Sequence, residues 1–100
     1  MVSLVPEKCK GMTDIRREID YLDHTIIQLI GQRFDYVKAA AKFKTSEDSV
    51  KAPHRFEQVI KQRRAWAEEQ ALNPDVIEKL YRDLVGYFIS QELKQWQNET

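Results

Sequence analysis

TDIRREIDYLDHTIIQLIGQRFDYVKAAAKFK, residues 13–44, holds no proline and one glycine, Gly31. Its apolar residues recur as Ile15, Ile19, Leu22, Ile26, Leu29/Ile30, Val37 and Ala40/Ala41, the three-and-four spacing of one helix face. Thr13 suits an N-cap, and Asp14 and Glu18 stand early, where the helix dipole favours acids. The spacing predicts one long helix over 13–44. Residues 1–12 read as a flexible lead, and the polar stretch TSEDSVKAP makes 45–52 a loop. Pro53 fits the first position of a second, shorter helix, whose stripe is Phe56, Val59/Ile60, Arg63 and Trp66/Ala67, ending near Ala71. Asn73-Pro74 is a cap followed by proline, and opens a third helix to about Gln97 along Ile77, Leu80/Tyr81, Leu84/Val85, Phe88/Ile89 and Trp96. No segment alternates with period two. The 100 residues read as one all-α domain of three helices, long, short and long.

Length bears on assembly. A first helix of about 32 residues spans about 48 Å, and a second of about 19 covers only about 28 Å of it. One chain cannot bury its own first stripe, which favours a homodimer sharing two long helices. The alternative is a monomer whose first helix breaks at Gly31 and folds back.

Sixteen Lys+Arg balance sixteen Asp+Glu, which argues against a nucleic-acid or acidic-membrane partner. The balance is uneven along the chain. Between Arg33 and Arg64, nine basic residues face four acids, leaving +5 and suggesting a small anionic ligand. One cysteine, Cys9, excludes an internal disulfide and a multi-thiolate zinc site. His24 and His54 lack a second histidine at ligand spacing, so no metal is expected. Ser46, Ser49 and Ser90 have no paired base, and there is no glycine-rich phosphate loop. With no signal-peptide pattern and no apolar run of spanning length, a cytoplasmic setting is expected.

Polar residues that interrupt apolar stripes carry the functional reading. Arg33 follows Ile26 by seven and precedes Val37 by four, where an aliphatic is expected. Lys44 lies eleven residues on, facing the same way roughly 16 Å along the helix. Together they could clamp a small polyanion, Arg as a bidentate carboxylate grip and Lys as a point charge. A packed stem with its head in water would be the structural explanation of Arg33. Arg55 opens the second helix, where backbone N–H groups also favour an anion. Arg16 cannot reach Arg33 along one helix, but the Arg16 of an antiparallel partner could. Glu92 follows Val85 by seven and Phe88 by four, and burial there would favour its neutral, hydrogen-bond-donating acid.

These residues carry a family resemblance. DIRREID at 14–20, QRFDYVKAAAKFK at 32–44, APHR at 52–55, RAWAEE at 64–69 and YFISQE at 87–92 resemble the helical chorismate mutase superfamily. Within it they are most similar to the isochorismate pyruvate lyases of salicylate and siderophore biosynthesis, across about Thr13 to Gln97. The resemblance implies an intertwined all-α homodimer with two sites, each completed by the partner's Arg16. It implies that Arg33 and Lys44 hold carboxylates and the ether oxygen, that Arg55 holds the other carboxylate region, and that Glu92 stands beside the ether oxygen. Val37, Ala40, Val50, Val59, Phe88 and Ile89 would form an apolar wall, with 45–52 as a lid.

The implied chemistry is a cofactor-free pericyclic conversion of isochorismate to salicylate and pyruvate, with chorismate-to-prephenate rearrangement as main or side alternative. Phe56 and Ala52 stand where dedicated mutases often carry acids, which favours the lyase. Glu92, where the lyases are associated with glutamine, departs from that pattern. A third possibility is a catalytically weak helical dimer that binds carboxylates or a partner protein.

Overall fold

A computed structural model describes residues 4–99, all helix and connecting turn, with no strand among them. The long helices are α1 (Met12–Ala40), α3 (Pro53–Glu69) and α4 (Pro74–Glu99), with a single helical turn, α2 (Glu47–Lys51), between the first two. Helix α1 begins one residue before the expected cap. Gly11 supplies the first carbonyl, to the Ile15 N–H at 3.2 Å, so Thr13 lies inside the helix. Asp14 still serves the N-terminus, its carboxylate accepting the Lys10 N–H at 3.0 Å. The helix runs through Gly31 without a break, and a tight 3-10 turn, Ala41–Phe43, replaces its expected last turn.

Residues 45–52, expected as a loop, contain α2. The cause is a reciprocal cap: Ser46 Oγ accepts the Ser49 N–H at 3.0 Å, and Ser49 Oγ accepts the Ser46 N–H at 3.1 Å. Ala52, in the left-handed region at φ 39°, turns the chain from α2 into Pro53, the first residue of α3. Helix α3 ends in a Schellman arrangement. The Leu72 N–H reaches the Ala67 carbonyl at 2.8 Å and the Ala71 N–H reaches Glu68 at 3.0 Å. Ala71 takes the left-handed position, φ 58°, that glycine usually fills. Asn73 then caps α4 by accepting the Asp75 N–H at 2.9 Å, with Pro74 first in the helix.

The chain divides into two units, residues 1–35 and 36–100. The second holds the core: Ala41, Val50, Val59, Ile60, Ala67 and Phe88 are all buried. There α4 packs on α3, on the 41–43 turn and on α2. Arg64 bonds Asp75 at 2.9 Å and Glu78 at 2.7 Å, while Arg82 bonds Glu57 at 3.0 Å, so α3 and α4 are antiparallel. These pairs face water and set register more than they stabilise. Among the described residues the first unit has no core. No residue of α1 is buried, and Ile19, Leu22, Ile26, Ile27 and Leu29 are each at least half exposed. No described helix is long and apolar enough to cross a membrane.

Candidate active site

The second unit gathers charge and apolar surface around Lys44. The 3-10 turn ends at Lys44, whose backbone leaves in an extended conformation, and its N–H is held by the Ala41 carbonyl at 3.2 Å. Its own carbonyl accepts the Trp96 indole N–H at 3.1 Å, which ties this corner to α4. The side chain is then fixed at both ends. Lys44 Nζ donates to the Ser49 carbonyl at 3.0 Å and stands 3.8 Å from Glu92 Oε2. An ammonium carries three donors, so one bond to Ser49 leaves capacity for an anion.

Glu92 sits on the inner line of α4, one turn after buried Phe88, and is only 6% exposed. Its Oε2 has no hydrogen-bond partner, the Lys44 distance being too long for one. Burial raises its carboxyl pKa above the ordinary value of 4.5, and Lys44 opposes this without cancelling it. Helix α4 continues to Glu99, so the end of the helix does not release Glu92 into water.

The apolar residues divide by depth. Val50, Val59 and Phe88 are buried, whereas Val37, Ala40 and Ile89 are half-buried. Val50 is 2% exposed and anchors α2 beneath the Ser46–Ser49 cap, so the segment carrying the Ser49 carbonyl is seated on the core. Arg55 is exposed in the first turn of α3. It lines an open hollow with Gln58, Lys61, Gln62 and Ala65, and that hollow contains neither Lys44 nor Glu92. Arg16 and Arg33 belong to the first unit, where Arg16 is exposed and Arg33 half-buried.

Lys44 and Glu92 are therefore the two expected polar residues that one unit brings face to face. The Ser49 carbonyl and the Trp96 indole complete their surroundings and were not among the expected site residues. Trp96 lies four residues after Glu92 on the same stripe, a position that points it to the same corner. A backbone carbonyl leaves no mark in sequence, although the Ser46-to-Ser49 spacing that presents it is a capping pattern.

Comparison with known proteins follows the same residues. Residues 15–93 match the sequence profile of the family described as chorismate mutase type II. The isochorismate pyruvate lyase of Pseudomonas aeruginosa is 42% identical over 91 residues, covering 91% of this chain and 90% of that protein. The T-protein of Haemophilus influenzae is 34% identical over 74 residues, 73% of this chain but only 20% of the much longer relative.

Proposed function

The chain belongs to the chorismate mutase type II family, and from that membership we propose that it is an isochorismate pyruvate lyase. The observation that carries this reading is the 42% identity to a protein of that name over nearly the full length of both chains. The site chemistry agrees with it. In the proposed reaction the bond between the ring carbon and the ether oxygen breaks while a ring hydrogen passes to the enolpyruvyl methylene carbon. The ring becomes salicylate and the side chain pyruvate, with no outside base or redox partner required. Such a step asks for a compact bound conformer and for donors at the oxygen that gains charge. Lys44 supplies a cation there. Glu92, whose protonated form burial favours, supplies a neutral donor while it holds its proton, 3.8 Å from that ammonium. Arg33 and Arg55 would take the carboxylates, with Val37, Ala40, Val50, Val59, Phe88 and Ile89 against the ring and 45–52 as the lid.

The site in this reading belongs to a homodimer, and the partner's Arg16 completes it. The uncovered stripe of α1 supports this: Ile19, Leu22, Ile26 and Leu29 are 50–56% exposed along one helix. That much apolar surface on one element favours association. Chorismate-to-prephenate rearrangement is the second activity to expect, because the family description itself names a mutase. Phe56 and Ala52, both uncharged, favour the lyase over it.

The deciding experiment incubates purified protein separately with isochorismate and with chorismate. Salicylate fluorescence and stoichiometric pyruvate from isochorismate are expected. Prephenate alone would make the chain a mutase, and no turnover of either would make it a binding protein.

The Glu92 role has its own test. A carboxylic acid donates only while protonated, so kcat/KM should fall as pH rises through the raised Glu92 pKa. Glu92→Gln donates at every pH and should give a flat profile over the same range. The linkage runs the same way for stability. A proton held more tightly in the folded than the unfolded chain stabilises fully below the unfolded value, and that stability is lost as pH rises through the folded one. Urea midpoints of the glutamine variant should lose that decline. Superimposable profiles for both proteins would take Glu92 out of the chemistry.

A further inference from the structure

Two half-buried charged side chains outside the Lys44 site stand beside exposed apolar side chains, and their charges are opposite. Glu18 stands on α1 between Ile15, three residues before, and Leu22, four after, within the stripe the first unit leaves open. Its Oε1 is covered and has no hydrogen-bond partner. Arg63 stands in the stripe of α3 between Val59/Ile60 and Trp66/Ala67. Its Nε is likewise covered and unpartnered, while one terminal nitrogen donates to Gln62 at 2.8 Å. The guanidinium lies 4.6 Å from the Trp66 ring centroid and 5.7 Å from that of Tyr81, at a cleft of about 160 Å³ whose other walls include Leu72 and Ile77. Of the cleft's walls, Trp66 is 45% and Leu72 52% exposed.

An arginine beside aromatic rings still has N–H donors to offer a carboxylate. The surrounding face is apolar and open, which suits an apolar helix bearing one acid better than a free ion. The α1 stretch 12–30 is such a helix. It carries Asp14, Glu18, Asp20 and Asp23 against Arg16 and Arg17, a net −2, whereas Arg63 lies in the +5 stretch. We propose that α1 of a second copy of this chain seats on the Arg63 face, and that the partner's Glu18 pairs with Arg63. This rests on the homodimer reading above and names its recognition contact. In a two-fold dimer the contact occurs twice. Two desolvated charges that meet only in the correct register penalise every other register.

Two-fold symmetry also supplies the test. Glu18→Arg and Arg63→Glu each place like charges together twice in a homodimer. Each homodimer should dissociate at least about thirtyfold more readily than wild type by sedimentation velocity. Mixed one to one, however, the two variants can form a heterodimer in which both contacts regain opposite charge. Native mass spectrometry of the mixture should therefore show heterodimer in large excess over either homodimer, with stability near that of wild type. Rescue by mixing also shows that both variants fold. Singles that dimerise like wild type, or a mixture as weak as the singles, would overturn the Glu18–Arg63 pair while leaving the dimer standing. A monomeric wild-type chain at micromolar to millimolar concentration would overturn the dimer and the pair with it.

Discussion

Lys44→Ala is expected to lower turnover of isochorismate by roughly 100- to 1000-fold, the usual consequence of deleting one preorganised donor at a developing oxyanion. The size follows from where the charge sits. Lys44 Nζ is held by the Ser49 carbonyl at 3.0 Å and by the anchoring of its own carbonyl on Trp96, so little reorganisation is needed when charge builds beside it. In the proposed reaction that charge is smaller in bound substrate than at the transition state, so kcat should fall with kcat/KM and not KM alone. The substitution also removes the cation that opposes burial at Glu92. The residual activity should accordingly stay pH-insensitive further into the alkaline range. Circular dichroism and a urea midpoint close to wild type would show that the fold is kept, since the Nζ bonds are partly open to water. Turnover close to that of the unsubstituted chain would remove Lys44 from the chemistry.

Phe88→Ala is expected to cost about 3–5 kcal/mol of stability, as for other large-to-small changes in a packed core. Phe88 is 3% exposed and is the largest side chain in a core whose other buried apolar members are Ala41, Val50, Val59, Ile60 and Ala67. Among the described residues no other aromatic ring is buried to fill the space it would leave. The core is also confined to residues 36–99, so the loss falls on a unit with little in reserve. Urea denaturation should show a lower midpoint with m unchanged, and Phe88→Leu should recover more than half of the difference. A loss below about 1 kcal/mol would mean that the site collapses freely around the deletion.

How much of this was legible differs from residue to residue. The three long helices follow from apolar spacing sustained over many turns and from Pro53 and Asn73-Pro74, which act locally. Helix α2 did not show in the pattern because five residues are too few for a period of 3.6 to register, and a serine pair carries the information instead. Glu92 and Lys44 could each be singled out as polar residues on apolar lines. Their approach could not, because 47 residues of chain lie between them. Arg55 stood out by its place at a helix start, yet it is exposed in a hollow that does not include Lys44, since helix propensity says nothing of which face the core covers.

The amino-acid sequence by itself determined the helices, their order, and which residues on them are out of place, because these depend on contacts within one or two turns. It also determined that the first stripe is longer than one chain can cover, a matter of residue count and rise. Only the tertiary structure decided that Lys44 meets Glu92 at 3.8 Å, that the carboxyl is buried enough to favour its proton, and that Trp96 locks the corner. Those depend on how α4 lies against the 41–43 turn and α2. That arrangement is set by side-chain volumes summed over the whole core, a quantity no local spacing encodes.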